Sequence, residues 1–169
     1  ANHSGCADAI WLLLALDAPQ MSRIIAKKEL RKVPVVGWVM EKFRIIFVDR
    51  KAHDGTAYHE GVQAIKNGEQ MMVFVEGTRC NKNKHVRAKT GAVRMAVEAD
   101  APLVPVFITR NKTPWCPVNV IFGQPYEMPK RDGWTHDEYQ QEADELLRRI
   151  YRLGGDSYAD HIGEDGGVL

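Results

Sequence analysis

A histidine and an aspartate stand five positions apart at the start of the sequence, in the run Asn-His-Ser-Gly-Cys-Ala-Asp at residues 2–8. On one straight helix their side chains would point roughly 140° apart, so they can meet only if the chain turns between them. Gly5 permits such a turn. A carboxylate bonded to one imidazole nitrogen fixes the tautomer and leaves the other nitrogen as a base. The run predicts that His3 is a general base oriented by Asp8; a surface histidine beside a helix-capping aspartate is the alternative.

A second candidate cluster follows an apolar run in the middle of the chain. The residues Val-Phe-Val at 73–75 lead into the block Glu-Gly-Thr-Arg at 76–79. Ligands of open α/β sheets bind at the carboxyl ends of strands, and a guanidinium can hold a phosphate through two parallel hydrogen bonds. Glu76 and Arg79 are therefore candidates to grip a polar, anionic substrate. A turn at a strand end, closed by a surface ion pair, is the alternative interpretation.

A stretch rich in cations lies between these two clusters. Residues 23–51 contain nine Lys and Arg against three acids, with Trp38, Met40 and Phe43 among them. Basic residues interleaved with Trp and aliphatic side chains suit an anionic membrane surface, whereas a core-packed helix with solvated lysines would show a similar pattern. The nine cations are Arg23, Lys27, Lys28, Arg31, Lys32, Lys42, Arg44, Arg50 and Lys51.

The composition is that of one ordinary globular domain. A chain of 169 residues with 44% hydrophobic and 27% charged residues can fold without a disulfide or a metal. The net charge of +1 provides no global basic field for nucleic acid. It conceals an asymmetry, since residues 1–131 carry 20 Lys and Arg against 12 Asp and Glu, and residues 132–169 carry 3 against 10. The positive excess of the first part favours an anionic ligand or surface.

The cysteines and the apolar segments indicate the redox compartment of the protein and whether this chain can cross a membrane. Cys6, Cys80 and Cys116 are an odd number without paired metal-ligand spacing, which is typical of free thiols in a reducing compartment. The longest apolar run, residues 9–16, is shorter than the roughly 20 residues that cross a bilayer. The sequence opens inside a motif and without a methionine, so we expect an upstream segment. No metal site is predicted, because the histidines lack paired ligand spacing.

The elements that must position these residues alternate along the chain. Apolar, β-branched runs predict strands at 23–26, 44–48, 71–75, 103–109 and 118–122, and amphipathic segments predict helices at about 8–16, 55–67, 90–99 and 136–153. Thr135 and Glu138 have capping-box spacing, and two glycines end the last helix. The alternation predicts an α/β fold with a mixed, largely parallel central sheet flanked by helices. We expect one domain over residues 1–153 and an acidic mobile tail over residues 154–169.

Together and in this order, the motifs resemble those of the glycerophospholipid acyltransferase family, specifically the lysophosphatidate (1-acylglycerol-3-phosphate) acyltransferases. The family's Asn-His-x4-Asp, Phe-x-x-Arg, Glu-Gly-Thr-Arg and Val-Pro blocks stand at residues 2–8, 47–50, 76–79 and 103–106, and its Lys-containing segment at 26–30. Each block alone is a weak signal, whereas four in order are specific. The sequence has Gly5, Val75 and Cys80 where the family often has Ser, Pro and Ser, which leaves the exact substrate open.

The resemblance implies a transferase of phospholipid biosynthesis with a fold like that of glycerol-3-phosphate acyltransferase. Such an enzyme moves a fatty acyl group from an acyl thioester to the free hydroxyl of lysophosphatidate and gives phosphatidate. His3 with Asp8 would supply the base, Arg79, Arg50 and Lys27 would hold the acceptor phosphate, and the remaining substrate-binding residues would be Glu76, Gly77 and Thr78. Glu76 and Gly77 would shape the acceptor pocket. A backbone N–H near Gly5 or Gly77 is a candidate donor to the oxyanion.

The resemblance also implies the partners and the setting. The donor would be a thioester of coenzyme A or acyl carrier protein, which is a co-substrate, and neither a cofactor nor a metal is expected. The acceptor would be a lysophospholipid at an anionic membrane surface, and nucleic acid is not expected as a partner. We expect the protein at the cytoplasmic face of a membrane, either peripheral or anchored by the upstream segment.

Three other functions remain open from the sequence. The first is a sibling acyltransferase that acts on glycerol-3-phosphate or another lysophospholipid, which these blocks do not distinguish. The second is a non-catalytic, lipid-binding relative, against which the presence of both His3 and Asp8 counts. The third is a hydrolase with Cys6 or Cys80 as nucleophile, whose activity a thiol-blocking reagent would abolish.

Overall fold

The computed structural model describes residues 1–16, 22–27, 44–48, 55–80, 86–110 and 117–162. The elements in chain order are helix α1 (Asp8–Leu14), strands β1 (Ser22–Lys27) and β2 (Arg44–Val48), helix α2 (Thr56–Lys66), strand β3 (Gln70–Met72), helix α3 (Gly91–Ala99), strands β4 (Val106–Ile108) and β5 (Val120–Phe122), helix α4 (His136–Leu153) and a 3-10 helix (Ser157–His161). They form two compact units: residues 1–15 with 74–169, here the first unit, and residues 16–73, the second.

In the described part of the second unit, a helix packs on a parallel sheet. The strand order is β2-β1-β3, and β1 pairs in parallel with both neighbours. Ile24, Ile46 and Met72 are buried, as is Val62 of α2, so the helix covers the apolar side chains of the sheet. Gly68 ends the helical segment with a φ of 81°, a left-handed conformation that glycine adopts without strain. The predicted α/β class with a parallel sheet is confirmed.

The first unit contains an antiparallel pair of strands and helices α1, α3 and α4. Val106 of β4 lies opposite Phe122 of β5, and all three residues of β4 are buried. Among the described residues, the five strands therefore form two sheets, a parallel one of three strands and an antiparallel one of two. Helix α4 packs against α3, β4 and the 3-10 helix. This unit carries every predicted site residue except Lys27 and Arg50.

Helix α4 is the element that the sequence defines most clearly. The Thr135 hydroxyl accepts the Glu138 N–H at 3.3 Å, and the Glu138 carboxylate accepts the Thr135 N–H at 2.8 Å, which completes the predicted capping box. Leu147 and Ile150 are fully buried. At the other end, a Cβ on Gly154 would lie 2.3 Å from the ring of Phe107. Glycine at this position therefore lets the end of the helix approach β4 closely.

The segment after α4 is packed rather than loose. Ala159 and Ile162 are buried, and the ring of Tyr158 meets that of Tyr151 edge-on at 4.9 Å between centroids. Asp156 forms an ion pair with Arg110 at 2.9 Å. This corrects the predicted mobile tail for residues 154–162, because apolar side chains placed between the acidic residues dock against α4. Residues 163–169 lie outside the described residues.

None of the helices in the described ranges is both long and apolar enough to cross a membrane.

Candidate active site

The turn before α1 brings His3 and Asp8 together. Nδ1 of His3 lies 3.0 Å from Oδ2 of Asp8, and the same oxygen accepts the N–H groups of Ser4 at 2.6 Å and Gly5 at 2.8 Å. The spacing of His3 and Asp8 allows their side chains to meet only if the chain turns between them. The structure contains this turn, and the two side chains are in contact. The turn is closed by the Asp8 carboxylate, and Gly5 is not among the glycines with a positive φ.

The His3 imidazole is partly exposed while its partner is not. The side chain of His3 is 21% exposed and that of Asp8 is 0% exposed, and the imidazole stacks on the ring of Phe74 with centroids 4.2 Å apart. Because Nδ1 is held by Asp8, Nε2 is the nitrogen that can accept a proton from a substrate. A carboxylate at this position stabilises the imidazolium that results.

Backbone hydrogen bonds join the first residues of the chain to the Glu-Gly-Thr-Arg block. The Val75 N–H donates to the carbonyl of Ala1 at 3.2 Å, and the Cys80 N–H donates to the carbonyl of His3 at 2.7 Å. The His3 N–H in turn donates to Oε2 of Glu76 at 2.6 Å. The two clusters that the sequence singled out therefore form one site.

Asn2 is a site residue to which the sequence assigned no role. It is completely buried, its Nδ2 donates to the carbonyl of Ile108 at 2.9 Å, and its Oδ1 accepts the Ile108 N–H at 2.7 Å. The amide therefore pairs with the backbone of β4 much as a neighbouring strand would. The only available signal was its place beside His3, because its partner lies 106 positions away.

Glu76 points into the protein rather than into an acceptor pocket. Its side chain is 1% exposed, one oxygen accepts the His3 N–H, and the other accepts a hydrogen bond from the Tyr151 hydroxyl. Burial raises the pKa of Glu76, although the hydrogen bonds from Tyr151 and His3 oppose this shift. The pocket-shaping role implied by the resemblance is thus corrected for this residue, because both oxygens are engaged inside the protein.

Gly77 closes a tight turn over residues 74–77. Gly77 has a φ of 65° and donates its N–H to the carbonyl of Phe74 at 3.0 Å. The Gly5 N–H is likewise bonded to Asp8, so the N–H groups of these two glycines are engaged within the protein, and an oxyanion donor near Gly5 or Gly77 stays a prediction. Thr78 is half-buried, and its carbonyl accepts the Cys80 thiol at 3.8 Å.

Arg79 reaches the loop that carries the base. Its side chain is exposed, and Nη1 donates to Sγ of Cys6 at 2.7 Å. Cys6 lies between His3 and Asp8 in the sequence, so the guanidinium lies at the same loop as the imidazole. A guanidinium can in general bind a phosphate through two parallel hydrogen bonds, and the role of Arg79 as a phosphate ligand stays a prediction.

The side chains of the other predicted phosphate ligands lie outside the described residues. Lys27 is the last residue of β1, and its side chain, like all of Arg50, lies outside what the structure describes. Arg23 of the basic stretch is paired with Glu69, with Nη2 of the arginine 3.0 Å from Oε1. Most of the remaining stretch also lies outside the described residues.

Neither of the two thiols that the structure describes forms a nucleophilic pair with His3. Cys80 is buried, and exposed Cys6 contacts Arg79, while the imidazole is bound to Asp8; Cys116 lies outside the described residues. Within the described part of the chain, no group of three or more His, Cys, Asp and Glu residues could hold a metal ion. The geometry favours an acid–base site over a cysteine nucleophile.

The site of this α/β chain thus combines a partly exposed histidine, held by a buried aspartate, with an arginine at the same loop. A family model described as Acyltransferase matches residues 1–109, which include this whole constellation. The chain belongs to the acyltransferase family.

Curated relatives and a solved structure resemble the chain. The 1-acyl-sn-glycerol-3-phosphate acyltransferase of Saccharomyces cerevisiae is 30% identical over 73% of this chain and 42% of its own length. The enzyme of the same name from Bacillus subtilis is 34% identical over 62% of this chain and 51% of its own length. The crystal structure of the 1-acyl-sn-glycerophosphate acyltransferase PlsC from Thermotoga maritima is 28% identical, with a TM-score of 0.65 over 90% of this chain and 64% of that one. This chain spans about a third to a half of the first curated relatives.

Proposed function

We propose that this chain carries the catalytic residues of an enzyme that transfers a fatty acyl group from a thioester to the free hydroxyl of lysophosphatidate, giving phosphatidate. The observation that carries the proposal is the hydrogen bond between Nδ1 of His3 and the buried carboxylate of Asp8. The names of the two curated relatives and of the solved structure support the same reaction.

In the proposed reaction, His3 acts on the acceptor hydroxyl. An alcohol at neutral pH is a poor nucleophile, and a positioned general base typically accelerates its attack by roughly 10²–10⁴-fold. Nε2 of His3 takes the hydroxyl proton as the oxygen attacks the thioester carbonyl carbon. A C–O bond forms, the C–S bond breaks, and the imidazolium returns the proton to the departing thiolate. Asp8 keeps the imidazole oriented throughout, and the reaction requires no covalent enzyme intermediate.

The acceptor phosphate would be held by Arg79. Its exposed guanidinium lies at the loop between His3 and Asp8, and an arginine can bind two phosphate oxygens at once. Lys27 and Arg50 are proposed as further phosphate ligands on the resemblance alone, and Gly77 and Thr78 as parts of the acceptor site. The donor would be acyl-coenzyme A or acyl carrier protein thioester, and no cofactor takes part in the proposed chemistry.

The acceptor and product are lipids, so we propose that the protein works at an anionic membrane surface on the cytoplasmic side. Helix α1, which starts at Asp8, exposes Ile10, Trp11 and Leu14 to 43%, 39% and 72%. These positions lie on one side of the helix, since residues three and four apart are neighbours on its surface. Apolar side chains exposed on the same helix as the site suit contact with acyl chains, and the basic residues of 23–51 suit the headgroups.

The test is thiol release from acyl-coenzyme A, followed with lysophosphatidate as acceptor. The wild-type chain should release thiol only when the acceptor is present, and His3→Ala should lower turnover by at least ~10²-fold with folding retained. Parallel assays with glycerol-3-phosphate and another lysophospholipid distinguish the sibling activities. A wild-type chain that binds lysophosphatidate but releases no thiol with any acceptor would indicate a non-catalytic, lipid-binding relative.

A further inference from the structure

A buried hydrogen-bond chain links helix α4 to the backbone of His3. The Tyr151 hydroxyl donates to one oxygen of Glu76, and the His3 N–H donates to the other at 2.6 Å. Tyr151 and Glu76 are each 1% exposed, so both partners of this hydrogen bond are shielded from solvent. The three residues therefore connect the end of α4 to the residue that carries the proposed base.

We propose that Tyr151 is a positioning residue for catalysis, which sets the place of the His3 imidazole by holding the Glu76 carboxylate against the His3 N–H. The proposal rests on the proposed function, because it concerns the same base. Tyr151 does not touch the imidazole or the acceptor phosphate site in this structure. It acts through Glu76.

The residues packed around Tyr151 restrict the motion of its side chain. Its ring meets those of Phe107 and Tyr158 edge-on, with centroids 6.2 Å and 4.9 Å away. The Arg110 guanidinium lies 5.1 Å from the Tyr151 ring centroid and is itself paired with Asp156. Contacts on several sides leave the phenol little freedom, so its hydroxyl presents a fixed donor to Glu76.

The geometry also indicates that Tyr151 affects the rate of the chemical step rather than substrate binding. A buried carboxylate that loses one of its two donors is left with an unsatisfied oxygen, which favours rearrangement or protonation. Because Oε2 holds the backbone of His3, a shift of the carboxylate moves the base. A misplacement of about 1 Å at the reacting groups can cost ~10²-fold in rate. Substrate binding, by contrast, involves neither Tyr151 nor the Glu76 carboxylate directly.

The test compares Tyr151→Phe with Tyr158→Phe, two variants that each remove one hydroxyl from the same aromatic cluster. The Tyr158 hydroxyl bonds to the carbonyl of Val86 at 3.4 Å rather than to Glu76. Tyr151→Phe should lower kcat ~10-fold or more while the acceptor KM stays within about twofold. Tyr158→Phe should leave kcat unchanged. In ¹⁵N-labelled protein, the His3 amide proton should shift and exchange faster in Tyr151→Phe only.

A double-variant cycle shows whether Tyr151 acts through Glu76. In a Glu76→Ala background, Tyr151→Phe should lower kcat no further, since the group it holds is gone. Full additivity, an unmoved His3 amide in Tyr151→Phe, or an equal loss of kcat in both tyrosine variants would each overturn the positioning role. A wild-type chain without thioester turnover would refute the proposed function instead, and the amide measurement would still decide whether Tyr151 positions His3.

Discussion

The carboxylate of Asp8 lies 3.0 Å from Nδ1 of His3 and also closes the turn that makes this approach possible. One buried oxygen thus serves both the fold of the loop and the orientation of the imidazole. The two roles should separate when Asp8 is replaced by residues that keep or lose the acceptor oxygen.

Asp8→Ala and Asp8→Asn should differ more in stability than in activity. Asp8→Ala leaves the Ser4 and Gly5 N–H groups and the imidazole without their acceptor, which should lower the free energy of unfolding by about 2–4 kcal/mol. Asp8→Asn keeps an acceptor oxygen but loses the charge that stabilises the imidazolium, so kcat should fall ~10²-fold or more with a smaller loss of stability. Urea unfolding and turnover at saturating substrate measure the two effects. Near-wild-type turnover of Asp8→Asn would contradict the role of the charge.

Arg79→Ala should weaken acceptor binding. Removal of the guanidinium at the loop of the base should raise the KM for lysophosphatidate ~10-fold or more, with a smaller effect on the KM for the thioester donor. Arg79→Lys should recover only part of this loss, because an ammonium makes no two-pronged contact. Steady-state kinetics with each substrate varied provide the measurement. Arg131→Ala is the control, since Arg131 is bound to Glu138 and stacks on Trp134.

The two buried hydrogen bonds between the Asn2 amide and Ile108 should stabilise the fold. Asn2→Ala leaves the buried N–H and carbonyl of Ile108 without partners, which should lower the free energy of unfolding by about 2–4 kcal/mol. Asn2→Asp keeps an acceptor but sets a second oxygen against the Ile108 carbonyl. Burial raises the pKa of the introduced carboxyl, so the loss should grow as pH rises past the ordinary range of Asp and shrink on acidification.

Denaturant unfolding at several pH values measures this dependence. Exposed Asn119 provides the matched control, since Asn119→Asp should show little loss at any pH. If the loss of unfolding free energy in Asn2→Asp does not change with pH, the introduced carboxyl does not have the raised pKa that we expect.

Glu76 should make folding stability fall as pH rises. Burial raises its pKa above the ordinary value of 4.5, so the folded chain holds this proton more tightly than the unfolded chain does. The contribution of Glu76 is therefore most favourable below about 4.5 and declines as pH rises through the raised pKa. Glu76→Gln removes this titration. The difference in unfolding free energy, wild type minus Glu76→Gln, should decrease between about pH 4 and pH 8. An increase would show that the native state favours the charged carboxylate.

Local patterns were sufficient to predict most elements and the proposed base. The spacing of apolar residues located helix α4 to its residue bounds, and the five-residue interval between His3 and Asp8 confined their meeting to a single turn. The strand before Glu76 was predicted as 71–75, whereas β3 ends at Met72. The chain leaves the ladder there because the Val75 N–H bonds to Ala1 instead.

Contacts between residues that are far apart in the sequence could not be predicted from local patterns. Asn2 and Ile108 are 106 positions apart, and Glu76 and Tyr151 are 75 apart, so no local periodicity relates them. The sequence predicts Glu76 as a substrate ligand because ligands of open α/β sheets bind at the carboxyl ends of strands. Glu76 is buried because α4 and the first residues of the chain pack around it. The docking of Tyr158 on Tyr151, seven positions away, escaped prediction because the acidic composition of residues 154–169 favours a mobile tail.

The exposed apolar side chains of α1 should respond to a bilayer. Trp11 is one of the residues available to enter the acyl-chain region, so its fluorescence should shift to the blue when vesicles are added. Leu14→Ser removes the most exposed of these side chains and should weaken binding to vesicles with little loss of stability. Val104→Ser, at an exposed apolar position outside α1, is the control and should bind as the wild type does.

The basic stretch should make membrane binding dependent on salt. Each Lys or Arg near an anionic surface contributes on the order of 1 kcal/mol, and the attraction fades beyond a Debye length of about 8 Å at physiological salt. Binding to vesicles that contain anionic lipid, measured by sedimentation, should therefore fall as salt rises. It should fall further when Lys27, Lys28, Arg31 and Lys32 are replaced together by Gln.

The matched control removes the same charge from exposed cations elsewhere, Lys66, Lys130, Arg131 and Arg152. If only the total charge mattered, both quadruple variants would lose equal affinity for the vesicles. If the basic stretch docks on the membrane, the variant at 27, 28, 31 and 32 should lose more affinity than the control. The acidic residues of 132–169 should face away from an anionic surface, because it repels them. Binding that ignores salt and survives the first quadruple change would show that this stretch is solvated or packed on the core, and that the protein reaches the membrane through another surface.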